Sequence, residues 1–196
     1  VLVLIALIVF FTIVNPNFLS LRNFARVGIS ATPPLMIAVG TTFIVIMGSI
    51  DLSMEGAVAV CAVIFAYIFM ALGGQLDGWA WMAIPVCCLV GAVFGLINGI
   101  VHVALRIPSF MASLSMGFVG IGLSLVMTGG DRIRVEDPIF RALLTDRYLG
   151  FPLMVHVALL VLVAAWFIQS QTTLGRKFYA VGADQDLALA SGLNVK

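Results

Sequence analysis

The chain has 196 residues, of which 62% are hydrophobic and only 10% are charged, and its mean hydropathy is +1.18. Soluble domains contain about 25% charged and about 45–50% apolar residues, so this composition excludes a soluble globular protein. The formal net charge of +1 gives no strongly basic surface, and no nucleic-acid partner is expected. The composition predicts a protein that is embedded in the lipid bilayer.

Six apolar stretches set the predicted fold class, which is all-α: a polytopic transmembrane helix bundle of about six spans. A helix needs about 20 apolar residues to cross a bilayer. The stretches are residues 1–14, 27–48, 53–72, 79–105, 108–127 and 151–168. Pro33 and Pro34 fall near the predicted start of the second span, where proline opens or kinks a helix. The first stretch is already apolar at Val1, so we expect a truncated span, and residues 1–196 to be the N-terminal portion of a longer polypeptide.

Two polar segments interrupt or follow the spans. Residues 131–149 carry four arginines and four acidic residues, so their charges cancel and predict a solvated, folded or partly ordered loop. Residues 171–196 contain a short amphipathic stretch that is too polar to insert in the membrane. Within it, Asp184 is expected to cap a short helix that Gly192 ends, as glycine commonly does at a helix C-terminus.

The stretch between the second and third spans is the most unusual, because it places polar side chains between two apolar runs. Gly48 and Ser49 interrupt the helix, and Asp51, Ser53 and Glu55 follow. A carboxylate centred in hydrocarbon costs at least ~2.5 kcal/mol on insertion scales, so an acid inside a membrane is a functional candidate. In a second interpretation, Asp51 caps the next helix and Glu55 lies in its first turn, where the helix dipole favours negative charge. Both interpretations hold together if the cap also lines a solute path.

Small residues at four-residue spacing mark one face of the fourth span and one face of the fifth. Such a stripe lets a second helix backbone approach closely, so both faces are predicted to pack against other helices. The residues are Gly91, Gly95 and Gly99 in the fourth span, and Ser109, Ser113 and Gly117 in the fifth. Asn98 and His102 lie beside the first stripe, and we expect them to hydrogen-bond to other helices. Asn98 is also a candidate for the solute path.

No pattern typical of an active site is present in the sequence. It contains no glycine-rich phosphate-binding loop of the G-x-x-x-x-G-K-S/T type. The two histidines, His102 and His156, lie in different spans, and Cys61, Cys87 and Cys88 lie in apolar runs without the spacing of metal ligands. We therefore expect a non-enzymatic protein without catalytic residues, cofactor or metal site.

Four motifs, occurring in the family's order, resemble the permease subunit of the ribose/galactose/xylose/arabinose-type ABC sugar importers. They are residues 38–43 with 48–53, residues 107–110, residues 128–130, and residues 173–182 leading to 191–194. Together they cover nearly the whole chain. The resemblance implies a multi-pass permease of the bacterial inner membrane that passes a monosaccharide or similar small solute.

The same resemblance implies the partners and the topology. The partners are an ABC ATPase at the cytoplasmic face, a periplasmic or extracellular solute-binding protein, and a second permease subunit of the same or a different chain. Residues 131–149 are expected to be an extracytoplasmic loop and residues 171–196 a cytoplasmic coupling loop. The coupling residues it implies are Gly175, Arg176, Asp184, Leu187 and Gly192. Charge alone weakly favours the opposite orientation, because four basic residues would be cytoplasmic against six outside.

Two other functions compete with an ABC permease. An ion-coupled secondary transporter would use Asp51 or Glu55 as a proton or cation relay at a broken helix. A structural membrane subunit would have no solute path of its own. The predicted docking helix between Asp184 and Gly192 favours the ABC permease, because an ion-coupled carrier has no need for it.

Overall fold

The computed structural model describes residues 1–15, 17–193 and 195, so that Pro16, Asn194 (the end of the fourth motif) and Lys196 lie outside the described residues. The elements are α1 (Leu2–Val14), α2 (Leu21–Ile46), α3 (Met54–Ala71), a 3-10 turn (Ala80–Met82), α4 (Ala83–Leu105), α5 (Ser109–Thr128), α6 (Pro138–Thr145), β1 (Arg147–Tyr148), β2 (Phe151–Pro152), α7 (Leu153–Gln171), α8 (Thr173–Ala183) and α9 (Gln185–Ala190). The predicted all-α class is confirmed. Five helices, α2, α3, α4 with its 3-10 turn, α5 and α7, are long and apolar enough to cross a membrane.

The start of the second span was predicted wrongly. Helix α2 begins at Leu21 rather than at residue 27, and the hydroxyl of Ser20 caps it by accepting a hydrogen bond from the Asn23 N–H. Pro33 and Pro34 consequently lie in the middle of a continuous 26-residue helix. The polar Arg22, Asn23 and Arg26 concealed the first turns, because a hydropathy window does not register a helix that starts outside the hydrocarbon. Helix α1 has 13 residues and is shorter than a full span.

The membrane-length helices run alternately up and down, so their connections fall on two faces. We name them the loop face, which carries residues 72–79 and 129–152, and the break face, which carries residues 47–53, 106–108 and 172–193. On the break face, the Ile50 N–H donates a hydrogen bond to Ser109. Helix α3 packs against α4 and α5, whereas α2 packs against α7 and α8. A cleft lies between α2 and α3.

The 131–149 segment is more ordered than a solvated loop. It contains α6 and β1, and β1 pairs with β2 just after the segment to form a hairpin. Phe140 of α6 packs beside Phe69, which is fully buried together with Ala80 at the loop-face end of α3. Asp137, although in a polar segment, is buried and accepts hydrogen bonds from the N–H groups of Leu76, Ile139 and Phe140.

The buried carboxylate of Asp137 attaches α6 to the turn that follows α3. Burial raises its pKa, but the hydrogen bonds from the Leu76, Phe140 and Ile139 N–H groups outweigh burial and hold the pKa below its ordinary value. The charged form is therefore the one that caps α6 and ties it to the turn after α3.

A close backbone contact joins α3 to α5. A Cβ placed on Gly56 would collide with the backbone of Gly117, and one on Gly120 would lie 2.6 Å from the carbonyl carbon of Gly56. Ser113 and Gly117 thus lie on a packed face of α5, with Ser113 1% exposed. The close approach is possible because these glycines carry no side chain.

The small-residue stripe of α4 differs from its prediction. A Cβ on Gly91 would lie 3.4 Å from the Cys61 sulfur, but one on Gly95 or Gly99 would meet no atom of the described residues within 4 Å. The stripe therefore packs at Gly91 only. The reason is geometric: α4 runs along α3, with Cys87 beside Cys61 and Asn98 beside Ser53, and Gly95 and Gly99 lie on its exposed side.

Substitution of Gly120 with alanine should destabilise the bundle, because the new methyl group overlaps the α3 backbone, which cannot move as a side chain would. Overpacking of this kind costs about 1–3 kcal/mol or more. We expect a lower thermal unfolding temperature in detergent and less protein in the membrane.

Gly122→Ala is the matched control on the same helix, since a Cβ at Gly122 would meet no described atom within 4 Å. Equal unfolding temperatures for the two variants would contradict the close contact between α3 and α5.

Candidate functional site

The candidate site begins where α2 ends. The N–H of Gly48 donates to the Val45 carbonyl and the N–H of Ser49 to the Ile44 carbonyl, the paired pattern that closes a helix through a left-handed residue. Gly48 adopts φ +79°, which other residues reach only at a cost of about 1–2 kcal/mol. The predicted interruption at Gly48 and Ser49 is confirmed, and the chain then runs without helical structure to Ser53.

Two serines of α5 hold this extended segment, which we name the break segment (residues 48–53). Ser109 accepts a hydrogen bond from the Ile50 N–H at 3.1 Å. Ser113 accepts one from the Leu52 N–H at 3.0 Å and lies 3.3 Å from the Ile50 carbonyl oxygen, to which it can donate. Backbone without helical hydrogen bonds is tolerated in a membrane only where protein groups satisfy it. The serines predicted to pack helices therefore also supply these partners.

Asp51 does not cap α3 as expected. Its Oδ1 accepts a hydrogen bond from the Ser53 N–H at 2.7 Å, a turn that precedes the helix. The N-cap position belongs to Ser53, which is 2% exposed, and α3 starts at Met54. Glu55 does lie in the first turn of α3, and its exposed side chain lines the cleft between α2 and α3. Asp51 thus stabilises the turn that leads into α3, two residues before the helix's N-cap.

Asn98 of α4 completes a polar cluster with Asp51 and Ser53. Its Nδ2 lies 3.4 Å from Asp51 Oδ1 and 3.4 Å from Ser53 Oγ, so the expected bond to another element is present. Its Oδ1 is buried without a hydrogen-bond partner among the described residues. His102 instead contacts the Ile107 carbonyl oxygen just beyond its own helix, at 2.6 Å. The cluster thus links the break segment, the N-cap of α3 and helix α4 through side chains that donate and accept hydrogen bonds.

Ser49 lies at the entrance to the break segment and is half-buried. The part of the chain that the structure describes contains no group of three His, Cys, Asp or Glu side chains suited to a metal ion. The polar cluster of Asp51, Ser53 and Asn98 offers hydrogen-bond donors and acceptors and one carboxyl group.

The capped helix after the last span is present as α9. Asp184 Oδ1 accepts hydrogen bonds from the N–H groups of Asp186 and Leu187 at 2.9 and 3.0 Å. At the other end, Gly192 adopts φ +81° and its N–H donates to the Leu189 carbonyl. Ala188 is buried, whereas Leu187 is 66% and Leu189 62% exposed. Helix α9 therefore presents two leucines away from the bundle.

A helix that the sequence did not predict, α8, connects α7 to α9. Thr172 caps it by accepting a hydrogen bond from the Gly175 N–H. A Cβ on Gly175 would collide with the Gln169 carbonyl oxygen, so α8 folds back closely on the end of α7. Arg176 and its neighbour Lys177 are exposed on α8.

Helix α8 also lies directly on the end of α2. A Cβ on Gly182 would collide with the Ile46 carbonyl oxygen and lie 3.2 Å from Met47 Cα. Phe178 contacts Phe43 of α2 edge-on, with ring centroids 5.7 Å apart. The contact is thus made to the last turn of α2, immediately before the break segment begins at Gly48.

The model of the family described as the permease component of branched-chain amino acid transport systems matches residues 23–196. The chain belongs to this permease family. With five helices long and apolar enough to cross a membrane, it is a multi-pass protein of the bacterial inner membrane. Its family consists of transport components rather than enzymes, as expected from the sequence.

Several curated relatives cover almost the entire chain. The ribose import permease protein RbsC of Haemophilus influenzae is 29% identical over 98% of this chain and 59% of the relative. The autoinducer 2 import system permease protein LsrC of an Enterobacter species is 33% identical over 99% of this chain and 54% of the relative. The L-arabinose ABC transporter permease protein AraH of Azospirillum brasilense is 29% identical over 100% of this chain and 56% of the relative.

The chain therefore spans a little more than half the length of these relatives. No solved structure matches it. The resemblance drawn from the four motifs is confirmed by the family model and by these relatives.

Sequence reasoning missed Gly56, Gly120 and Gly182, which make three of the closest backbone contacts. Gly56 was visible only as the residue after Glu55, and Gly120 lies outside the four-residue spacing that marked Ser113 and Gly117. Their common signal was a glycine inside a helix, where it is unfavourable unless packing requires it.

Substitution of Ser113 with alanine should weaken the attachment of the break segment, because it leaves the Leu52 N–H without its partner in a buried place. An unsatisfied buried group costs about 1–3 kcal/mol. We expect faster amide hydrogen exchange in residues 48–53 and a lower unfolding temperature.

The control is Ser124→Ala on the same helix, because the Ser124 hydroxyl only donates to the Ile121 carbonyl of its own helix. If exchange in the break segment were as slow in Ser113→Ala as in Ser124→Ala, the serine would not hold it.

Proposed function

We propose that the chain is the transmembrane part of a permease subunit of an ATP-driven ABC importer, which passes a monosaccharide or similar small hydroxylated solute. Family membership supports a permease, and relatives named for the import of ribose, arabinose and autoinducer 2 support a small polar solute. The hydrogen-bonding groups of Asp51, Ser53 and Asn98 support the same substrate class, since solute hydroxyls both donate and accept hydrogen bonds.

The single observation that carries the proposal is the geometry of α8 and α9 on the break face. Helix α9 is capped at both ends and exposes Leu187 and Leu189, as a helix that docks into a groove of a partner requires. We assign this groove to the ATPase subunit. The break face is then cytoplasmic, and residues 171–196 form the coupling loop.

The same geometry supports a route from the docking helix to the polar cluster. A displacement of α9 moves α8, and α8 lies on the backbone of Ile46 and Met47. The next residues form the break segment, whose position is fixed by Ser109 and Ser113. Asp51 and Asn98 lie at its far end. ATP hydrolysis on the partner would in this way shift the break segment and change which side the cluster faces.

The remaining partners follow from the same proposal. The loop face, with α6 and the hairpin, would meet the solute-binding protein outside the membrane. A second permease subunit, which the family resemblance implies, would complete the assembly in the membrane. The break segment supports this proposal rather than an ion relay, because Asp51 is engaged by the Ser53 N–H.

Replacing Gly192 with valine in the full-length permease should weaken ATPase docking. A β-branched residue at φ +81° is strained by more than about 1 kcal/mol, so the end of α9 must reorganise. We expect co-purification of the ATPase and solute uptake to fall at least about fivefold at normal permease abundance, because 1 kcal/mol corresponds to about that factor.

Gly192→Asn is the control, because asparagine tolerates the left-handed conformation better than valine. Normal uptake and normal co-purification in Gly192→Val would remove α9 from the coupling role.

Replacing Gly182 with alanine separates docking from transmission. The added methyl group collides with the end of α2, whereas α9 and its caps are untouched. We expect the ATPase to co-purify as in the wild type, while solute-stimulated ATP hydrolysis and uptake fall together. Loss of co-purification would show that Gly182 serves docking, and unchanged uptake would exclude the α2 contact from the route.

A further inference from the structure

A polar pocket lies on the loop face at the turn between α1 and α2, far from the break segment. We name it the elbow pocket. It is lined by Asn15, Asn17, Phe18, Ser20, Arg22, Asn23 and Arg26. The transport proposal assigns it no role, and the inference drawn from it does not rest on that proposal.

The elbow pocket carries two positive charges and no negative one. Arg22 and Arg26 stand one turn apart on α2, and both are exposed. No acidic residue lines the pocket, and none occurs among residues 1–50 of the sequence. By contrast, Arg141 on the same face lines a pocket together with Glu136. The elbow pocket is therefore a site of unbalanced positive charge.

The other polar side chains of the pocket are used to build it. Asn23 Nδ2 donates to the Phe18 carbonyl at 2.9 Å, and the Asn23 N–H donates to the Ser20 hydroxyl. The Asn17 N–H donates to Asn15 Oδ1 at 3.0 Å. These bonds tie Asn17, Phe18 and Ser20 to their neighbours, and the exposed guanidinium groups of Arg22 and Arg26 extend from the first two turns of α2.

The pocket also continues into an apolar surface. Phe18 stacks on Phe11 of α1, with ring centroids 5.6 Å apart. Helix α1 is apolar along its length and exposes Ile13 and Val14 just below the pocket. A ligand that fits both parts has an anionic head at the arginines and apolar chains along α1.

We propose that the elbow pocket binds the headgroup phosphate of an anionic phospholipid, with the acyl chains lying against α1. The planar guanidinium group matches the oxygens of a phosphate with two parallel hydrogen bonds. The pocket stands where two apolar helices leave the hydrocarbon, which is the depth of lipid headgroups. The bound lipid connects α1 to the first turn of α2.

The test measures binding of fluorescent phosphatidylglycerol to the purified full-length permease at low ionic strength. Each basic residue near a membrane surface strengthens attraction to anionic lipid by about fivefold. Arg22→Gln combined with Arg26→Gln should therefore weaken binding by more than tenfold, whereas Arg22→Lys with Arg26→Lys, which keeps both charges but loses the paired hydrogen bonds, should weaken it less. Both arginines are exposed, so the unfolding temperature in zwitterionic detergent should not change.

Three controls decide the source of the phosphate and the place of binding. Arg141→Gln should bind phosphatidylglycerol normally. Unlabelled phosphatidylcholine and millimolar inorganic phosphate should compete poorly. Equal binding by the wild type and the Arg22/Arg26 glutamine variant would overturn the proposal, and so would full competition by inorganic phosphate. A glutamine variant that lost only solute-binding-protein docking, with lipid binding intact, would also overturn it.

Discussion

The close backbone contact between α3 and α5 is the constraint on which the candidate site depends. Gly56, Gly117 and Gly120 let the two helices approach until backbone meets backbone. At this distance Ser109 and Ser113 can reach the break segment, and their short side chains suffice to satisfy its N–H groups. Larger residues at the glycines would separate the helices and leave the Ile50 and Leu52 amides without partners in an apolar environment. The close packing of α3 on α5 is therefore also what gives the N–H groups of the break segment their hydrogen-bond partners.

The polar cluster shows how a membrane protein accommodates a carboxylate. Asp51 lies at the end of a break rather than inside a helix, and the Ser53 N–H and Asn98 bond to it. These bonds and its position near the break face reduce the cost that a carboxylate would have at the bilayer centre. The Asn98 Oδ1 is the one buried side-chain polar atom that the described residues leave without a hydrogen-bond partner.

The contact between α8 and α2 connects parts of the chain separated by more than 130 residues. It depends on Gly182, just as the α3 contact depends on Gly120. In both places an interior glycine brings one helix onto the backbone of another, so the contact is made between backbones rather than through flexible side chains. Such a contact leaves little room for one helix to shift independently of the other.

The sequence by itself determined the all-α membrane class, the interruption at Gly48, and the capped helix from Asp184 to Gly192. These features are local: apolar run length sets the spans, and single capping or left-handed residues set helix ends. The sequence also identified the family, because the order of the four motifs can be read without a three-dimensional structure.

Only the tertiary structure decided which partners these features meet. The stripe on α4 and the one on α5 look alike in sequence, yet Ser113 and Gly117 are buried while Gly95 is open. The choice depends on which side of each helix its neighbours cover, which four-residue spacing does not contain. The sequence allows Asp51 to cap α3, but in the structure Ser53 occupies the N-cap position. Two serines of α5 bind the break segment, and this contact fixes where α3 can begin.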